Sequence, residues 1–262
     1  MAKEHQIRLV VEYDGTRYHG WQAQPCVPTV QGVIEDILSK VLQVRIRVTA
    51  AGRTDAGVHA VAQVASFRLC ETQSDCDWQY LLNRLLPRDI SIRSAECVTN
   101  DFHPRFSART KQYKYRILNR RDRSGIAWNR AWHVWENLSI HAMQDAVGQF
   151  YGTHDFSSFR CMPSQTEKTV CTVNLFEVIC HDDFITFTVE ADRFLKQMVR
   201  VMVGTCVDVG TGKILSSNIA NILEARDRCR AGRTAPPQGL YLVNVQYSDW
   251  CSMGHAGQEA SV

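Results

Sequence analysis

The run Gly52-Arg53-Thr54-Asp55-Ala56-Gly57-Val58-His59 gathers more chemically useful residue types than any other stretch of the chain. Its glycines let the backbone take positive φ and let a ligand approach closely. A carboxylate on such a loop, Asp55, suits attack on a carbon centre or stabilisation of a developing positive charge. Arg53 projects two positions away. Read alone, the same run is also an ordinary polar turn with a solvated Arg53. Asp55 and His59, with His154-Asp155 and His181-Asp182-Asp183, invite a metal reading as well. They lack a multi-ligand spacing such as H-E-x-x-H, so no metal is expected. Gly210-Thr211-Gly212-Lys213 imitates a phosphate loop, but Val207 stands at the required upstream glycine and Ile214 at the Ser or Thr. It reads as a helix C-terminal turn.

Two cationic groupings suit an anionic partner. Arg109, Lys111, Lys114, Arg116, Arg120, Arg121 and Arg123 surround the single acid Asp122, with Tyr113 and Tyr115 among them. Basic charge mixed with aromatics fits a phosphate backbone with unstacked bases; a solvated strand edge is the alternative. Further on, a helix expected from Phe194 would set Arg193, Lys196, Gln197 and Arg200 opposite a Leu195, Met198, Val199 stripe. That cationic face is either solvated or the partner that a buried anion such as Asp55 needs.

These residues must be held by a folded frame, and the composition supplies one. The 262 residues are 45% hydrophobic, enough for one large or two modest domains, and only the last dozen have a disordered composition. Ile7 to Tyr13 reads as a strand, and Val30, Val33, Ile34, Ile37, Leu38, Val41 and Leu42 recur at helical spacing behind a Thr29 cap. Strands are expected at Arg45 to Ala50, Val61 to Leu69 and Ile90 to Val98, with a helix marked by Trp78, Leu81, Leu82 and Leu85. From Gln112 the order repeats: a strand to Leu118, a helix with Ile140, Met143, Val147 and Phe150, and strands near Val170 to Ile179 and Phe184 to Glu190. The Phe194 helix follows, then a shorter one near Asn218 to Arg226 and a last strand from Leu240 to Tyr247. The expected fold class is therefore α+β: two lobes, 1–105 with the Asp loop and 106–262, whose mainly antiparallel sheets meet at a central cleft.

The excess of 30 Lys plus Arg over 27 Asp plus Glu, a net +3, is too mild by itself to mark a nucleic-acid binder. Ten cysteines without a C-x-x-C pair, and a polar start from Met1 to Gln6, point to reduced thiols in the cytoplasm. No apolar run approaches the roughly 18 residues of a membrane span. The sequon Asn137-Leu138-Ser139 then carries no weight.

Six segments in order resemble the TruA family of tRNA pseudouridine synthases. They are Tyr13 to Gln22 (YDGTRYHGWQ), Ala51 to His59 (AGRTDAGVH), Asp101-Phe102-His103 with Arg105 to Ala108 (RFSA), Tyr113 to Arg116 (YKYR), Phe194-Leu195 with Met198-Val199-Arg200, and Thr234-Ala235-Pro236 with Gly239 to Leu242. The resemblance runs from about residue 7 to about 247. It implies two RRM-like halves of the pseudouridine synthase fold, a homodimer, and a grip on the anticodon arm of tRNA. It also implies isomerisation of uridines on the 3′ side of that stem and loop. By motif, Asp55 is the catalytic residue, Tyr113 stacks on or contacts the target base, and Arg200 pairs with the Asp55 carboxylate. Arg53 resembles the residue that enters the space left by the flipped nucleotide, and Leu240 the one that lines the pocket on the far side of the base. Tyr13 to Gln22 is implied to be structural or RNA-contacting. Lys196, Gln197 and a short segment from Arg160 to Thr169 depart from the pattern and bear on the range of uridines modified.

Turning uridine into pseudouridine breaks the N1 to C1′ bond, rotates the uracil and joins C5 to C1′, with no net change of atoms. No redox cofactor, nucleotide or metal is demanded. A base in a stem must first leave the stack, at a cost of a few kcal/mol. Two other classes compete: a non-catalytic RNA-binding or chaperone protein, which needs no desolvated carboxylate beside phosphates, and a metal-dependent hydrolase using His59, which would require bound metal.

Overall fold

The computed structural model describes residues 4–70, 76–162, 168–248, 250 and 252. They fall into two compact units, one drawn from Met1–Arg109 with Leu242–Val262, the other from Thr110–Tyr241.

The first unit runs β1 (Glu4–Tyr13), α1 (Val30–Leu42), β2 (Thr49–Ala50), β3 (His59–Cys70), α2 (Trp78–Leu85) and β4 (Ile90–Val98). That β-α-β-β-α-β order is the RRM-like one. β1 lies between β3 and β4, antiparallel to both, and β2 adds antiparallel to the outer side of β3. α1 forms where expected: Thr29 Oγ1 accepts from Gly32 N at 3.2 Å, and Val30, Ile34 and Leu38 are wholly buried. Each such burial is worth about 1.5–3 kcal/mol. α2 joins this core through Trp78, whose ring stands edge-on to Phe67 at 5.3 Å.

The strand expected from Arg45 is shorter, because α1 takes its amides. Ser39 Oγ accepts from Ile46 N and Glu35 Oε1 from Val48 N, leaving only Thr49 and Ala50 to pair with β3. Gln31 Nε2 completes this small polar cluster by donating to Glu35 Oε1 and Val48 O, so the buried Glu35 is held by hydrogen bonds.

The second unit comprises β5 (Thr110–Asn119), β6 (Trp132–Val134), α3 (Ile140–Gly148), β7 (Gly152–Asp155), β8 (Val170–His181), β9 (Phe184–Ala191), α4 (Met198–Gly210) and α5 (Asn218–Ala225). β10 (Leu240–Gln246) crosses the division between Tyr241 and Leu242. β5, β9, β8 and β7 lie side by side and antiparallel, and the short β6 runs parallel to the end of β5. The mixed α+β, mainly antiparallel character read from the sequence is thus present. Phe150, Phe156, Phe159, Phe176 and Phe187 pack the core, with Phe150 5.0 Å from Phe159 and 5.4 Å from Phe176.

The helix expected from Phe194 begins only at Met198. Gln197 sits at φ 60°, in the left-handed region, and Leu195 O accepts from Met198 N in a turn. Arg193, Lys196 and Gln197 therefore share no helix face with Arg200. All other residues of α4 are buried, and Arg200 is its one half-exposed position. The helix ends as expected at the Gly210–Lys213 turn, where Gly212 takes φ +77°.

Candidate active site

The Asp55 loop joins β2 to β3, and its backbone is tied on both sides of the carboxylate. Trp21 N donates to Thr54 O at 3.1 Å, and the Tyr13 and Thr54 hydroxyls share a 2.8 Å hydrogen bond. Beyond Asp55, Gly57 N donates to Tyr18 O at 3.3 Å and Val58 N to Asp55 O at 3.2 Å. Gln63 Nε2 closes the loop base on Gly52 O at 2.9 Å. Asp55 itself is half-buried and Arg53 exposed. Burial pushes the Tyr13 phenol well up, against a smaller pull from its hydrogen bonds to Thr54 and Gln63, so Tyr13 stays a neutral support.

Two glycines make this contact possible. A Cβ on Gly15 would lie 2.0 Å from Val58 O, and one on Gly20 2.5 Å from Thr54 O and 3.1 Å from Asp55 C. Gly20 also has φ +87°. The segment from Tyr13 to Trp21 is therefore a strap laid across the Asp55 loop. Its far end carries α1: Gly20 O and Trp21 O accept from Val30 N and Gln31 N at 3.2 and 3.0 Å. The Tyr13 to Gln22 run, expected to be structural or RNA-contacting, holds the Asp55 loop through these contacts. The readable signal was the pair of glycines, which no expected element needed.

The second unit holds Tyr113, Arg200 and Leu240. Tyr113 lies on β5 opposite Val189, is buried, and meets Phe194 edge-on at 5.0 Å. Arg200 Nε donates to Ala235 O at 2.8 Å, while Ala235 N donates to Arg200 O at 3.0 Å. A Cβ on Gly204 would stand 1.8 Å from Arg233 O, so α4 and the 232–236 segment touch through backbone here as well. Asp208 secures this segment by accepting from Arg233 Nε and Nη2 at 2.8 and 2.7 Å and from Arg233 N. Tyr115 Oη then donates to Pro236 O at 2.7 Å, and Gly239 passes 2.7 Å from the Tyr115 ring, measured from an added Cβ. Burial raises the Tyr115 phenol pKa and the nearby Arg200 charge opposes the rise. Leu240 follows directly and is buried. Sequence reasoning missed Asp208 and Arg233, whose pairing at a spacing of 25 residues leaves no local trace.

The basic run divides. Tyr113, Tyr115 and Ile117 are buried, and Lys114 and Arg116 alternate with them at half exposure; Arg116 lies over the Phe184 ring at 4.8 Å. Arg120 pairs with Asp183 at 3.0 Å. Arg121 and Arg123 are exposed on a loop spanning 120–131, which also carries Ile126 and Trp128, 91% and 69% exposed. The base of that loop is fastened by Tyr241 Oη donating to Arg130 O and by a 2.8 Å hydrogen bond between His133 Nε2 and Arg120 O.

Among the described residues, no group of three or more His, Cys, Asp or Glu side chains is placed to hold a metal, and no helix is long and apolar enough to cross a membrane. His154 and Asp155 turn to other partners, Tyr151 O and Ser157. Residues 163–167 of the Arg160 to Thr169 segment, and most of the last dozen residues, lie outside the described residues.

The family model described as tRNA pseudouridine synthase matches residues 9–107 and 146–248. Curated relatives named tRNA pseudouridine synthase A include those of Acetivibrio thermocellus, 43% identical over 92% of this chain and 99% of the relative, and Ruminiclostridium cellulolyticum, 45% identical over the same shares. That of Myxococcus xanthus is 43% identical over 93% of this chain and 92% of its own. The chain belongs to the tRNA pseudouridine synthase A (TruA) family.

Proposed function

We propose that this chain isomerises uridine to pseudouridine on the 3′ side of the anticodon stem-loop of tRNA, with Asp55 as the catalytic carboxylate acting on a flipped-out base. Its family makes it a tRNA-modifying isomerase; the site, the residue roles and the base flipping are the proposal. The observation that carries it is the half-buried Asp55 on a loop pinned on both sides of that residue. Preorganised charge of this kind is worth most where a reaction develops charge in a fixed place.

In this reading the carboxylate acts as the N1 to C1′ bond breaks, either by adding to a carbon centre or by stabilising the positive charge at C1′. The uracil rotates, C5 joins C1′, and the C5 proton leaves, with Asp55 positioned to assist its loss. Tyr113 offers an aromatic face that accepts the base in either orientation. Arg200 is the cation matched to the Asp55 anion, Leu240 lines the far side of the base, and Arg53 fills the stack where the nucleotide was. These four roles rest on the motif resemblance. The enzyme works in the cytoplasm as a homodimer, which sedimentation at micromolar concentration tests: a fully active monomer overturns it.

The decisive experiment is Asp55→Asn, which keeps the shape and removes the anion. With tRNA tritiated at uracil C5, wild-type protein releases tritium to water, and the variant should lose roughly 10³-fold or more of that rate. It should bind tRNA as well or better, since a negative charge has been removed from a phosphate-binding surface. Retained release would mean that another group performs the chemistry.

A further inference from the structure

His59, the first residue of β3, is 2% exposed and takes no part in the chemistry above. Its Nδ1 accepts a hydrogen bond from Gly15 N at 3.1 Å. Asp14 Oδ1 stands 3.2 Å from the same Nδ1, but that oxygen already accepts from Thr16 N and Thr16 Oγ1. The Asp14 carboxylate thus caps the turn that presents the Gly15 N–H to the imidazole.

We propose that His59 is a positioning residue for Asp55, acting through the strap. The bond to Gly15 ties the strap to the downstream end of the loop, and it falls where an added Cβ on Gly15 would lie 2.0 Å from Val58 O. Upstream of Asp55 the Tyr13 hydroxyl does the same at Thr54. Asp55 is therefore bracketed by two buried polar latches, and the Gly20 contact lies between them. A backbone shift of about 1 Å at a reacting group is enough to cost on the order of 10²-fold in rate, so loss of the latch should appear in turnover while the surfaces that hold tRNA are untouched. The inference rests on Asp55 being the catalytic group.

The test compares His59→Phe, which fills the space without an acceptor, with His59→Gln, which returns an acceptor oxygen. Both are measured for kcat of tritium release, tRNA Kd and thermal midpoint, beside Asp55→Asn. His59→Phe should lose about 10- to 100-fold in kcat with Kd within about twofold, and His59→Gln should recover most of the loss. Gly20→Ala, which disturbs the loop without touching His59, should give the same split between kcat and Kd. Unchanged kcat in His59→Phe, or equal loss in Phe and Gln variants, overturns the proposal and leaves His59 a packed core residue. Should the Phe variant fail to fold, the Gln variant decides alone: near-wild-type kcat supports the latch and a full loss rejects it. Activity retained in Asp55→Asn would instead remove the catalytic assignment, whatever the His59 variants do.

Discussion

The loop carrying Asp55 and the loop after β5 look alike in sequence, each a short polar stretch with arginine and glycine between two strands. They are built in opposite ways. Around Asp55 the neighbouring backbone lies so near that a methyl group at Gly15 would reach within 2.0 Å of Val58 O. In the 120–131 loop, Gly125 has nothing within 4 Å of an added Cβ, and Ile126 and Trp128 stand in solvent. On the proposed function, the difference separates two tasks. A group that acts on particular atoms needs its backbone immobilised from several sides, whereas a surface that meets a long polyanion needs charge and reach.

The largest expected effect comes from breaking the closed loop. Gly15→Ala drives a carbon into Val58 O and should cost about 3 kcal/mol or more, read as a lower urea midpoint, with tritium release falling alongside. A similar midpoint to wild type would show that the strap yields and that the loop is not closed. Next in size is the matching contact in the second unit: Asp208→Ala strips Arg233 of its carboxylate and should cost about 2 kcal/mol. Calorimetry of the two variants would show whether the unit with the buried helix tolerates such damage better.

For the open loop, Arg121→Gln with Arg123→Gln should weaken tRNA several-fold and lower the salt slope by roughly 2, with kcat unchanged. Arg120 is a poorer choice, because it is paired with Asp183. An unaltered slope would reduce this loop to a solvated face.

The smallest effect calibrates what closed means. Burial pushes the Cys171 thiol up from 9.0 to about 11. Folding therefore favours the protonated form: this contribution is complete below about pH 9 and is lost as pH rises through about 11. At pH 8 Cys171 should resist alkylation while the exposed Cys26, Cys97, Cys180 and Cys229 react, as peptide mass spectrometry would record. Rapid labelling of Cys171 would mean that β8 opens.

How much of this was legible follows from the range of the interactions. α1 was readable because its cap and apolar stripe lie within one helix, and the Asp55 motif because its residues are contiguous. The strap was not, since Trp21 meets Thr54 across 33 positions and only the finished β1–β3 pairing brings them together. The late start of α4 escaped for another reason: Leu195 and Met198 fit a helical stripe, yet Gln197 turns left-handed and Cys161 N takes the Lys196 carbonyl. Apolar periodicity reports burial and is blind to such a turn. β6 and β7, three and four residues long, are too short to show a period at all.

The return of residues after Tyr241 to the first unit bears on how the protein is made. Gln246 O accepts from Arg109 N, Tyr247 Oη donates to Pro104 O, and the Arg8 guanidinium lies 3.6 Å from the centre of the Trp250 ring. In synthesis the whole of Thr110–Tyr241 precedes Gln246, Tyr247 and Trp250, whose partners Arg109, Pro104 and Arg8 come before it. The first unit is thus discontinuous in sequence, and the unit that bears Asp55 draws partners from both sides of the second.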